Sequence, residues 1–511
     1  MLTRPSGGTV LSLAVVGLTV ACAIIQDDFY IVLGVAPFFL LGCAKGKKPF
    51  SLLAIASLPS LFLIFLSVVK VQLTGLPLSI LDRFLIDSNV LVLAYNDWRV
   101  AVATIVIACG ILYYFWILLS GRGKFTRFET VGAGVLVAFW AFFAVKIAVS
   151  DLDFLLTDEN HQPTVRTFVK SMIVPGARLA LAADDDDGDD VRLSLRSLGA
   201  PKDGKPDLFF VLQESTFDPR MIEPEYEPHT LFSRHLPLSG PLKVHTFGGG
   251  TWLTEFSLVT QMRPQEFGDG GWYVFHQLPG RIKRSLFTKL KELGYRTIVI
   301  YPVPGFFLNA RQFYKSIGVD DFEDPASLKL GNGWTWKIPD SKFYEAAIRK
   351  ADETPSQPVA VFLLTINQHG PHDLERPFAD YLSRFEQSDK AYDEFLKTLK
   401  ARNRRAGVVA FGDHQPEFTK DFFADEASRQ LTHYEIRCVN FKCLGPPRKR
   451  TGDEQLDITR LAPTALEQFG FDMDDLSFYG KYLFEECAAD ITRCADNLRL
   501  KFNRAFAATF Q

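Results

Sequence analysis

Five apolar runs crowd the first third of the chain and limit its architecture more than any other feature: Val10 to Ile25, Tyr30 to Ala44, Ser51 to Val69, Val100 to Leu119 and Val131 to Val149. Runs of this kind have the length of membrane-crossing helices, the second being short for a span. A cleaved signal peptide accounts for the first run alone, and buried core helices do not explain so many in one block. Charge is scarce and clustered before Val149, whereas after Pro206 the residues are those of a soluble α/β protein. The expected organisation is a transmembrane domain of about five helices over 1–149, a connector over 150–206 and a soluble domain over 207–511.

Loop charge sets the orientation. Lys45, Lys47 and Lys48 lie between the second and third runs, and Arg122, Lys124 and Arg127 between the fourth and fifth, while Gln26-Asp27-Asp28 follows the first. Positive loops stay in the cytoplasm, so everything after Val149 is expected outside it. Cysteine usage agrees with export: Cys438, Cys443, Cys487 and Cys494 fall in the soluble part, and two local disulfides, Cys438 with Cys443 and Cys487 with Cys494, are the simplest pairing. In the connector, the acidic run Ala183 to Asp190 lacks the spaced ligands of a calcium loop and is expected to be a solvated linker. A net charge of -3 over 511 residues argues against a nucleic-acid partner.

From Asp207 onward, short β-rich runs alternate with helical patterns. Strands are expected at Leu208 to Leu212, Thr297 to Tyr301, Val359 to Thr365 and Gly407 to Phe411, with helices at Ser285 to Leu293, Ser341 to Lys350 and Asp380 to Ala401. This is an α/β domain with a mostly parallel sheet, whose ligands belong at the C-terminal strand ends. There the polar residues gather: Gln213-Glu214-Ser215, Asn367-Gln368-His369-Gly370-Pro371-His372 and Gly412-Asp413-His414. A fourth stretch, Val244 to Met262, runs strand-like from Leu242 to Phe247, breaks at Gly248 to Gly250 and restarts as a helix with Trp252, Phe256 and Val259 on one face. Thr251 stands at that junction. It is either an ordinary N-cap or a hydroxyl placed to meet a phosphate at a helix start. Glu214, Thr251, Asp413 and His414 together make an oxygen-rich cation site with one nitrogen, in which a bound cation would activate the Thr251 hydroxyl as a nucleophile.

The order of membrane helices, Glu-Ser after a first strand, a glycine-rich turn into Thr-x-x-x-Glu-Phe (Thr251 to Phe256), Asn-x-His before Pro, and Gly-Asp-His resembles the lipoteichoic acid synthase and phosphoglycerol transferase branch of the alkaline phosphatase/sulfatase superfamily. The likeness covers roughly Asp207 to Phe484. It implies a sulfatase-like catalytic domain outside a bacterial inner membrane, reached by a multi-pass anchor. It also implies that Glu214, Thr251, Asp413 and His414 bind one divalent metal, manganese by preference, with zinc or magnesium as alternatives. Thr251 would take a glycerophosphoryl group from phosphatidylglycerol and pass it to a glycan or polymer of the envelope, and His369 would hold the phosphate or assist the reacting oxygens. Arg311, Trp334 and His372 would complete the substrate site, although the family's Trp and Arg near Asn309 are here Leu308 and Ala310, with Arg311 one step on. The alternatives are a phosphoethanolamine transferase acting on phosphatidylethanolamine and a non-catalytic, membrane-anchored binding or sensor protein. A sulfatase nucleophile, Cys or Ser followed by x-Pro-x-Arg, is absent from the sequence.

Overall fold

Three strands that the sequence marks as apolar throughout lie side by side and carry the site. The computed structural model describes residues 199–445 and 455–472, save positions 234, 235, 237, 283 and 335, together with Ser67 and Ile105. Its strands are β1 (Asp207–Gln213), β2 (Ser239–Lys243), β3 (Arg296–Ile300), β4 (Asp321–Glu323), β5 (Val359–Leu364), β6 (Ala406–Gly412), β7 (Leu431–Val439) and β8 (Leu456–Asp457). They form one sheet in the order β4-β3-β5-β1-β6-β7-β2-β8. Every residue of β1, β5 and β6 is buried, which is why they show no polar alternation: helices cover both faces of a parallel sheet.

The main helices are α1 (Thr251–Thr260), α2 (Leu286–Glu292), α3 (Ala310–Ser316), α4 (Asp340–Asp352), α5 (Pro377–Ala401) and α6 (Ile458–Gln468). Ser285 begins α2 with a capping box to Thr288, and Asp457 caps α6 through the Thr459 amide. The four expected strands and three expected helices are all present within a few residues of their expected bounds. Five of the seven strand pairings are parallel; β7 runs antiparallel to both β6 and β2. The expected mostly parallel sheet is thus a mixed one with an antiparallel flank. The strand-like run expected to reach Phe247 stops at Lys243, beyond which Val244 bonds the Gln430 carbonyl and His245 pairs with Asp457 at 3.0 Å.

Helix α1 is buried from Leu253 to Thr260, so it has no solvent face for the expected apolar stripe to oppose. Cys438 and Cys443 form the expected disulfide at the end of β7. Cys487 and Cys494, the five apolar runs and the acidic linker lie outside the described residues, apart from Ser67 and Ile105. Among the described residues no helix is long and apolar enough to cross a membrane.

Candidate metal and phosphoryl-transfer site

Sheet register builds the centre of the site. Gln213 of β1 pairs with Gly412 of β6, so the next residue on each strand, Glu214 and Asp413, emerge as neighbours. Close approach here depends on Gly412: a Cβ at that position would fall 1.7 Å from the Thr216 carbonyl oxygen. Asp413 Oδ1 accepts the amides of Ser215 at 2.6 Å and His414 at 2.8 Å. Ser215 in turn donates its hydroxyl to Glu214 Oε1 at 2.8 Å, and the Glu214 amide donates to Thr365 at the end of β5. Each carboxylate is therefore aimed by its neighbours before any ligand arrives.

Gln415 ties His414 to the glycine turn. Its carbonyl oxygen lies 3.0 Å from His414 Nδ1 and also accepts the Gly248 amide at 2.9 Å. A carbonyl can only accept, so the His414 proton sits on Nδ1 and the lone pair on Nε2 faces Asp413 Oδ2 at 3.3 Å and Glu214 Oε1 at 3.7 Å. Gly250, at φ 84, is the N-cap of α1 and makes no side-chain cap bond. Thr251 is the first helical residue, not the cap. Its Oγ1 lies 3.2 Å from Glu214 Oε2 and 3.4 Å from His414 Nε2, and the Thr254 hydroxyl fastens the same helix to the Asp413 carbonyl.

The electrostatics fit a divalent cation. Glu214, Asp413 and His414 are buried, with one ligand atom from each within 4.8 Å of the others, and Asp413 Oδ2 has no hydrogen-bond partner. Burial pushes the Asp413 carboxyl up to about 7, and burial followed by the charge of Asp413 raises Glu214. Burial lowers His414, keeping its imidazole neutral. Two buried carboxylates and a neutral imidazole with converging lone pairs are a donor set suited to a first-row transition ion.

The β5 loop brings His369 to this centre. Asp340 Oδ1 accepts the Ile366 and Asn367 amides, and Arg384 donates to the His369 and Pro371 carbonyls. His369 Nδ1 lies 2.8 Å from the Gly370 carbonyl, which leaves Nε2 for other partners, and a positive charge on this ring would act on both Glu214 and His414. The ring packed against His369 is that of Trp336, at 4.5 Å; Trp334 meets Phe306 instead. Arg311 is held by Asp324 at 2.6 Å, by the Phe322 carbonyl and over the Phe322 ring. His372 is buried against Phe418 and lies 3.4 Å from Asp380, with burial pushing its imidazole down to about 4. Thus Glu214, Thr251, Asp413 and His414 converge, His369 stands beside them, and Arg311, Trp334 and His372 are engaged elsewhere. Ser215, Asp340, Arg384, Gln415 and Trp336 support these groups, and although some of them stand inside the motifs, no spacing marks the role of a residue that acts by holding another.

The family model described as Sulfatase matches residues 206–471, more than half of the chain. The chain belongs to the sulfatase family. It lies within the alkaline phosphatase/sulfatase superfamily, as its motifs led one to expect. Among relatives of this sulfatase-family chain, a putative cyclic beta-1,2-glucan modification protein of Rhizobium meliloti is 29% identical over 237 residues, covering 43% of this chain and 37% of the relative. Lipoteichoic acid synthase 1 of Bacillus subtilis is 27% identical over 219 residues, covering 38% and 34% respectively. The matched segment spans less than half the length of the curated relatives. Among solved structures, the Streptococcus pyogenes phosphoglycerol transferase GacH, in complex with sn-glycerol-1-phosphate, matches with a TM-score of 0.46 at 16% identity, covering 66% of this chain and 91% of that one. The lipoteichoic acid synthase LtaP of Listeria monocytogenes matches at 0.43 and 18%, covering 59% and 79%.

Proposed function

We propose that this chain is a membrane-anchored, metal-dependent phosphoglycerol transferase, moving a glycerophosphoryl group from phosphatidylglycerol to an envelope glycan or polymer through a covalent ester on Thr251. The observation that carries the reading is the Thr251 hydroxyl itself: placed at the first turn of α1, it caps nothing and faces Glu214 and His414. The resemblance of the motifs to the lipoteichoic acid synthase branch and the names of the relatives support a lipid donor and a glycan or polymer acceptor. The anchor is the block 1–149 and the catalytic domain lies outside the cytoplasmic membrane.

Glu214, Asp413 and His414, joined by Thr251 Oγ1, would hold the ion, expected to be manganese with zinc or magnesium as alternatives. When bound, it would lower the pKa of the threonine hydroxyl and offset phosphoryl charge. The Thr251 hydroxyl gives its proton to Glu214 Oε2, the carboxylate oxygen it already faces, as its oxygen bonds to phosphorus. The bond from phosphorus to the diacylglycerol oxygen breaks, and that oxygen takes a proton from the His369 imidazolium. In the second half an acceptor hydroxyl, deprotonated by neutral His369, attacks the same phosphorus; the threonine oxygen leaves and recovers its proton. The positive dipole end at the start of α1 favours the anionic group during both steps.

The test is incubation of the detergent-solubilised full chain and manganese with labelled phosphatidylglycerol or phosphatidylethanolamine. Diacylglycerol is expected from the former, with a glycerophosphoryl adduct on the Thr251 peptide by mass spectrometry. Release from phosphatidylethanolamine alone would make the chain an ethanolamine phosphate transferase, and release by Thr251→Ala at the wild-type rate would remove the covalent step.

A further inference from the structure

One turn along α1 from Thr251, a carboxyl group is buried among aromatic rings with no use in the steps above. Glu255 is fully buried, with its Oε2 2.5 Å from the Tyr314 hydroxyl of α3 and its Oε1 3.3 Å from the Tyr301 hydroxyl just past β3. Tyr314 is fully buried too and is walled by Phe275, Phe287, Phe313, Phe322 and Phe362. An apolar residue of the same volume would suit such surroundings better as far as stability goes, because burying a carboxyl costs free energy that its hydrogen bonds only partly offset. Burial followed by the opposing Tyr314 bond leaves the Glu255 carboxyl raised to about 8, so the group is neutral and hydrogen-bonded at neutral pH.

What a carboxyl adds over a leucine is direction. Residues four apart stand on one face of a helix, so Thr251 and Glu255 project along the same side of α1. Thr254 anchors the helix to the Asp413 carbonyl at 2.7 Å, and adjacent helical positions point about 100° apart. With the Trp252 indole, which donates to the Trp272 carbonyl at 2.8 Å, Thr254 and Glu255 make three directional anchors around the helix, and together they fix its rotation about its axis. The hydrophobic contacts of Phe256, Leu258 and Val259 are non-directional and do not supply that restraint.

We propose that Glu255 is a positioning residue for Thr251: clasped by Tyr301 and Tyr314, it sets the rotation and register of α1 and thereby aims the threonine hydroxyl at the reacting phosphorus. This rests on the reading of Thr251 as nucleophile. A displacement of about 1 Å at a reacting atom costs on the order of 100-fold in rate, and that is the effect to be sought.

The experiment uses the full chain with phosphatidylglycerol and manganese, comparing Glu255→Gln, Glu255→Leu and the pair Glu255→Leu with Tyr314→Phe. Glu255→Gln keeps polar partners for the tyrosines and should stay within about tenfold of wild-type kcat. Glu255→Leu should lose about 100-fold in kcat, with KM and the manganese titration unchanged. The paired variant separates positioning from mere folding. Removing both partners of a buried hydrogen bond restores much of the stability lost by removing one, so its melting temperature should recover while kcat stays low. Wild-type kcat in Glu255→Leu, or recovery of kcat together with melting temperature in the paired variant, overturns the proposal. Thr251→Ala, run alongside, distinguishes the failures: if it releases diacylglycerol normally the nucleophile reading falls and the clamp with it, whereas if it is inactive a normal Glu255→Leu strikes the clamp alone.

Discussion

At the scale of the residue, the site shows how proton placement follows from a single acceptor. Both histidines near the centre have Nδ1 against a main-chain carbonyl, His414 against Gln415 and His369 against Gly370, so in each neutral ring Nε2 is the nitrogen left for chemistry. Their surroundings divide their roles. His414 is buried between two carboxylates, as a ligand would be, while His369 is half-buried against Trp336. His369→Ala should therefore keep manganese affinity, measured by calorimetric titration, while kcat falls on the order of 100-fold or more, as removal of an acid–base group does. Loss of manganese binding would place His369 among the ligands. The Trp336 ring is expected to hold the His369 ring in place, a role that an aromatic two positions earlier could not fill from its contact with Phe306.

At the scale of the element, strand ends and a helix start converge because glycines let backbones meet. Gly412 is the decisive case, since β6 passes the turn after β1 at a distance that excludes even a methyl group. Gly412→Ala should force that turn away, parting Glu214 from Asp413. Overpacking of this kind costs about 1–3 kcal/mol, so urea unfolding should show a loss of that order or larger, accompanied by weaker manganese binding. A variant with unchanged stability and metal affinity would show that the turn yields freely. The long helix α5 does comparable work on the other side, where Arg384 holds the His369 loop and Ser388 donates to Asp340, which in turn holds the Ile366 and Asn367 amides.

For the whole molecule, buried histidines predict a sensitivity to acid. His433 of β7 lies 3.5 Å from Asp218, yet burial outweighs that attraction and pushes its imidazole down to about 4. The unfolded chain, with an ordinary imidazole near 6.5, then binds a proton that the folded chain does not between those values. Stability is full above about 6.5 and is lost as pH falls toward 4. The loss from this one group approaches about 3 kcal/mol at its lower limit. Chemical denaturation of His433→Gln across pH 4 to 7 should show a flatter acid limb than the wild type; an identical slope would mean that other groups govern it. Because Asp413 also titrates near this range, the difference between variant and wild type, and not either curve alone, reports His433.

Local pattern determined much of this protein. Apolar runs without alternation marked β1, β3, β5 and β6, because strands buried on both faces leave no polar side to encode, and chemistry-bearing residues stood at their ends because a parallel sheet exposes its C-terminal edge. The glycine turn before Thr251 marked a helix start. Tertiary structure decided what local pattern could not carry. β7 carries no apolar run to mark it, since His433, Glu435 and Arg437 alternate through it; Glu435 is nonetheless fully buried, satisfied by its strand neighbour Arg437 and, from distant segments, by Tyr392 and the Phe232 amide. Whether Thr251 capped α1 or faced Glu214 was open in one dimension, since both uses call for threonine after glycines; the register of Gln213 with Gly412 and the αL turn at Gly250 settled its position. The pairing of Arg311 with Asp324, the aromatic packing of His372 and the clasp on Glu255 join residues brought together only when the sheet is assembled, and no spacing along the chain records them.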